Sequence, residues 1–168
     1  MLRALRSHRY AVLLDRLVDA VRQPHLAPRV SNEPDEQLLQ DLVRRAWDQL
    51  VDAVAALDED PSDEDLHDVR KRAKQTRYAV EAVEPMFGKR ARALGRALTE
   101  VQDVLGEHQD GVIAAQWLRE AATTVHDERT AFAAGQLVVH ESEAARVGRR
   151  GWPAAWRQAT RKKLRAWL

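Results

Sequence analysis

The chain has 168 residues, 45% hydrophobic and 32% charged, which is enough for one domain with its own core and too apolar for a disordered segment. Its net charge is only +1, and it has no cysteine, which excludes disulfides, thiol catalysis and thiolate metal sites. The longest apolar runs, such as Tyr10 to Leu14, fall far short of the roughly 20 residues of a membrane span, and no apolar secretory segment follows Arg3, Arg6 and Arg9, so a soluble, cytoplasmic protein is expected.

Seven Gly and six Pro among abundant Ala, Leu, Arg, Glu and Gln indicate an all-α chain. A first helix is predicted from about Leu2 to Arg22, with Leu5, Val12, Leu13, Leu17 and Val21 at helical spacing and a loop at Pro24 and Pro28. A second starts near Pro34 and runs to about Leu57, with Leu38, Leu42, Val43, Trp47, Leu50, Val54 and Leu57 in one stripe. After an acidic linker, Ser62 reads as an N-cap with Asp65 three residues on, and the third helix runs to about Glu84, where Pro85 and Gly88 stop it. A fourth begins near Lys89 and carries Leu94, Leu98, Val101 and Leu105; Gly106 either ends or kinks it, with Asp110 capping a fresh helix, or the helix continues. A further helix covers about His126 to Val147, and a short basic one follows Gly151-Trp152-Pro153. Long amphipathic helices with short loops imply an antiparallel bundle.

The near-neutral total conceals strong segregation of charge. Residues 1–30 carry six Arg and two Asp, 31–65 twelve acids and two Arg, 66–96 nine Lys/Arg and three acids, 97–144 nine acids and two Arg, and 145–168 eight Lys/Arg and no acid. Such a chain presents a strongly basic surface unless the blocks neutralise one another in the fold.

The third helix, LHDVRKRAKQTRYAVEAVE over 66–84, is the informative one. At about 100° per residue, Arg70, Lys71, Lys74, Arg77, Tyr78 and Glu81 fall on the face of His67, and Leu66, Val69, Ala73, Thr76, Val80 and Val83 fall opposite. Like charges at i,i+3 and i,i+4, such as Arg70 with Lys74, destabilise an isolated helix by roughly 0.2–0.5 kcal/mol per pair, and only Glu81 offsets them from within the face. The column therefore needs an acidic neighbour or an anionic ligand. Arg forks, Lys point charges and the His and Tyr donors suit phosphate oxygens, and cations about 5 Å apart along an axis suit a linear polyanion.

The segments LHDVRKRAKQTRYAVE and LTEVQDVLGEHQD resemble the CHAD family, named for histidines in an all-α domain. Its hallmark helix, His-x-x-Arg-x-x-x-Lys/Arg-x-x-Arg-Tyr, is matched by His67, Arg70, Lys74, Arg77 and Tyr78; its Leu-Gly-x-x-x-Asp segment is matched by Leu105, Gly106 and Asp110, with His108 between. Ser7-His-Arg-Tyr10 is similar to the helix that opens the family's second repeat, and Phe132-Ala-Ala-Gly135 to its tail. The family pairs two such helical halves around a basic channel, and only one copy of each motif stands here. The resemblance thus implies residues 1–168 as a single second-repeat half of a two-bundle domain, completed by a homodimer or by a first-half partner.

The resemblance further implies a non-catalytic module that binds inorganic polyphosphate, with granule association and no cofactor. In that reading Arg70, Lys74 and Arg77 neutralise successive phosphates, Lys71 stands at the rim, His67 and Tyr78 donate hydrogen bonds, Arg9 reaches the same channel and His108 lines its wall. Asp110 is read as a helix cap or a group orienting a cation. The residues keep a competing class open, binding of a nucleic-acid backbone or another polyanion, although no helix-turn-helix spacing or base-reading set is present. A metal site from His67, His108 and acids is disfavoured by the fixed cations around it, and phosphoryl chemistry would need more carboxylates than Glu81.

Overall fold

The structure, a computed structural model, describes residues 7–23, 35–124 and 127–168. The chain divides into two units, Met1–Pro34 and Asp35–Leu168. In the first, α1 spans His8–Arg22, and the Ser7 side chain caps it by accepting from the Tyr10 N–H at 3.3 Å. The predicted start near Leu2 and the loop at Pro24 and Pro28 lie outside the described residues.

The second unit holds α2 (Glu36–Ala55), α3 (Asp63–Phe87), α4 (Lys89–Thr124), α5 (Glu128–Ala159) and the short α6 (Lys162–Arg165). Each of α2 to α5 packs on its neighbour in sequence, and α6 returns onto α4, giving the expected helical bundle. The described residues include no strand. Val43 and Leu50 from α2, Leu66, Val69 and Val80 from α3, and Leu94, Leu98, Val101 and Leu105 from α4 are fully buried together. Two aromatic pairs close the far side. Trp47 stacks on Trp156 with centroids 5.6 Å apart, and Phe87 packs against Trp167 at 4.9 Å. The second-helix stripe is only partly buried, since Leu38 and Leu42 stay about half exposed, at 54% and 48%.

Two predicted helix ends are not ends, and of the alternatives at Gly106 the helix continues. α3 continues through Pro85 to Phe87 and stops at Gly88, whose φ of +56° is the left-handed turn that a side chain would strain. A proline this close to a helix end removes one N–H bond and leaves the following residues free to stay helical. α4 runs unbroken through Gly106, so Asp110 lies inside a helix and caps nothing. α5 likewise runs through Gly151 and Pro153, merging the predicted fifth helix with the basic segment after it. The glycines serve close packing instead. A Cβ on Gly148 would lie 2.8 Å from the Val104 carbonyl oxygen, and one on Gly111 would lie 2.7 Å from that of Glu141. α4 and α5 thus cross at backbone contact, and burial outweighs the weak helix propensity of glycine.

Candidate functional site

α3 is oriented by its cap and its buried stripe. The Ser62 hydroxyl accepts from the Asp65 N–H at 3.1 Å, and Asp65 accepts from the Ser62 N–H at 2.9 Å, a complete capping box. The Ser62 hydroxyl also donates to the Asp65 carboxylate at 2.6 Å, and this bond first, then that of the Ser62 N–H, holds the Asp65 carboxyl below its ordinary value. Leu66, Val69, Ala73, Thr76, Val80 and Val83 are all buried, and the Thr76 hydroxyl donates to the Ala46 carbonyl at 2.9 Å, locking α3 to α2. The opposite face is turned out of the core as a consequence.

That outward face carries His67, Arg70, Lys71, Lys74, Arg77 and Tyr78 together. His67, Arg70 and Arg77 are half-buried, and Lys71, Lys74 and Tyr78 are exposed. Arg77 donates through Nε to Gln102 Oε1 at 3.0 Å and pairs with Glu81. The Tyr78 ring lies 4.5 Å from the Arg77 guanidinium carbon and 5.7 Å from the Lys74 ammonium, so one ring braces two cations. Lys71 meets Asp68 at 2.5 Å, and its hydrogen bond, then its charge, hold the Asp68 carboxyl low.

Arg70 and Lys74 are different: among the described residues no acid stands within 4.0 Å of either. Arg70 lies over Gly106, where a Cβ would sit 3.4 Å from its Nε, and this Nε and His67 Nδ1 are buried without a hydrogen-bond partner. Arg70 also edges a shallow groove along α4 with Gln102, Asp103, Glu107 and Asp110, which puts Asp110 on the groove wall.

The described acids of the 31–65 block make no ion pair with this column. Asp60 and Asp63 pair with Arg149 of α5 at 2.6 and 3.1 Å, and Asp41 pairs with Arg44. Two expected residues are not on α3. Arg9 is on α1, in the other unit. His108 is 2% exposed and its ring is bonded to the Ala145 carbonyl at 2.9 Å, so it faces α5. It lies two residues from Gly106, which at 100° per residue turns it to the far side of α4. Gln102, the partner of Arg77, carries no sequence signal, because an amide on a polar helix face is ordinary until the neighbouring helix is placed. No group of three or more His, Asp or Glu able to hold a metal occurs among the described residues, nor is any described helix long and apolar enough to cross a membrane.

The chain is 32% identical over 162 residues to two uncharacterized proteins of Mycobacterium tuberculosis, MT2285 and Rv2226; the match covers 92% of this chain and 30% of each of theirs. The solved structure of PptA from Streptomyces chartreusis superposes with a TM-score of 0.65 and 28% identity, over 93% of this chain and 57% of that one. The chain therefore spans about a third of those relatives and little more than half of the solved neighbour. The CHAD domain model matches residues 1–119, and with its helical motif displayed on one face of α3 the chain belongs to the CHAD domain family, known for binding polyphosphate.

Proposed function

We propose that the outward face of α3 grips inorganic polyphosphate without transforming it. Arg70, Lys74 and Arg77 neutralise successive phosphates, Lys71 holds the rim, and His67 and Tyr78 donate hydrogen bonds. The observation that supports this reading is the pair Arg70 and Lys74, with no acid within 4.0 Å among the described residues while Asp60 and Asp63 go to Arg149. A buried guanidinium Nε with no acceptor is costly, by about 1–3 kcal/mol, and an anion arriving at Arg70 removes that cost. Binding rather than catalysis is favoured because Glu81, the carboxylate of the column, is held by Arg77.

In this reading the chain is the second-repeat half of a two-bundle domain, and the column forms one wall of a channel. A second copy or a first-half partner supplies the other wall, and the protein works in the cytoplasm at polyphosphate granules. The test is the triple variant Arg70→Ala, Lys74→Ala, Arg77→Ala, with circular dichroism to confirm the helices. Polyphosphate affinity should fall by at least tenfold; an unchanged affinity would place the site elsewhere. In competition, polyphosphate should displace duplex DNA at equal phosphate concentration, and the reverse outcome would favour a nucleic-acid ligand. Sedimentation at micromolar concentration should show a dimer, and a lone monomer would leave the first-half partner as the remaining wall.

A further inference from the structure

A second polar site lies away from the column. A cleft of about 290 Å³ opens between α4 and α5 beside the first residue of α3, walled by Asp63, His108, Arg119, Ser142, Arg146 and Arg149. The His108 side chain is 3% exposed, and its Nδ1 meets the Ala145 carbonyl at 2.9 Å. A carbonyl can only accept, so Nδ1 carries a proton. Nε2 has no hydrogen-bond partner: Asp63 Oδ1 is 3.1 Å away but out of line. The same Asp63 oxygen lies 3.1 Å from the Arg149 guanidinium, so this corner already receives one anionic oxygen. Across the cleft, Arg119 reaches from α4 to the Ser142 hydroxyl on α5 at 3.3 Å, and it has no ion pair among the described residues. Arg146 is held on its own helix by Glu143 at 2.9 Å.

We propose that this cleft binds a single phosphate group that still carries a proton. Arg119 and Arg146 take its anionic oxygens, the Ser142 hydroxyl donates to a third, and the ligand's own P–OH donates to Asp63. The carboxylate decides the chemistry. An Asp inside an anion site repels a fully deprotonated ligand; with Oδ1 already accepting from Arg149, Asp63 still has lone pairs for a ligand that donates. Inorganic phosphate and terminal phosphate groups keep a titratable P–OH near neutral pH, whereas sulfate and the bridging phosphates of a chain do not. The site therefore selects phosphate over sulfate, and the inference stands apart from polyphosphate binding on α3, since none of its walls belongs to the column.

Titration calorimetry of the full chain with inorganic phosphate and with sulfate tests it. Phosphate should bind at least tenfold more tightly than sulfate. Asp63→Asn should collapse that ratio to within about twofold, because an amide also donates, and Arg119→Ala and Ser142→Ala should each weaken phosphate at least threefold. The column triple variant should keep its phosphate affinity within twofold, which separates this site from the polyphosphate reading. On that variant, tripolyphosphate competing with phosphate identifies the chain terminus as the source, and failure to compete identifies free phosphate. No phosphate heat at millimolar concentration, equal affinity for sulfate, or full binding by the Arg119 and Ser142 variants would overturn the proposal.

Discussion

The Arg70 guanidinium rests on the bare backbone of Gly106, with room for a Cβ only at 3.4 Å from Nε and 3.5 Å from Nη2. One small residue on α4 thus sets how deeply a column cation of α3 sits. Gly106→Ala should leave the thermal midpoint unchanged or raise it, since Ala is favoured over Gly in a helix by about 1 kcal/mol. Its methyl would sit at ordinary contact distance from the guanidinium, so displacing Arg70 takes a larger side chain, and Gly106→Leu should weaken polyphosphate several-fold. A melt of the first variant and a binding titration of the second read the two effects, and unchanged affinity would mean that the depth of Arg70 is irrelevant.

Two further glycines should respond with opposite signs. At Gly148 a Cβ would meet Val104 O at 2.8 Å and the His108 N at 2.9 Å, both backbone atoms that cannot step aside. Gly148→Ala should destabilise by about 1–3 kcal/mol through forced separation of α4 and α5. At Gly95 the nearest atom is Val80 Cγ1 at 3.7 Å, an ordinary contact, so Gly95→Ala should stabilise by about 0.5–1 kcal/mol. Urea denaturation of the two variants side by side checks the pair.

Polyphosphate binding should weaken steeply with salt. Counterion release in nucleic-acid systems gives a slope of about −0.7 to −0.9 in log K against log salt per neutralised phosphate, so three full cations predict roughly −2 to −3. Removing Lys74 alone, the exposed cation without an acid, should flatten the slope by about one charge's worth. An affinity that is flat between low and high salt would contradict a charge-based grip.

Stability should fall in acid at the start of α3. Ser62 holds the Asp65 carboxyl below its ordinary value in the folded state. A depressed folded value stabilises above the unfolded carboxylate range, near pH 4, and that contribution is lost as pH falls through the folded value. Ser62→Ala should therefore lower the urea midpoint at pH 7, and the gap from the native chain should narrow below about pH 4. A gap that stays constant into acid would show that the carboxylate plays no part in the cap.

The sequence by itself determined that the chain is all-helical, that α3 begins at a Ser62–Asp65 cap, and that its cations share a face opposite a buried stripe. These are local properties: the cap spans the four residues 62–65, and the 3.6-residue repeat settles which side chains are neighbours. It also carried the family motif from His67 to Tyr78. What it could not settle were the ends of α3, α4 and α5, since Pro85, Gly106 and Pro153 read as breakers in isolation. Only packing decided that Gly111 and Gly148 let two helices touch and that the helix continues through Gly106, where Arg70 rests. Tertiary structure likewise decided where the charges go. Asp63 stands one turn before His67, yet its partner Arg149 lies 86 residues away. Ionic pairing is set by distance in space, which a one-dimensional pattern of charge blocks does not contain. The same limit left the surroundings of His108 open, because a residue's face on a long helix acquires meaning only once the helices beside it are in place.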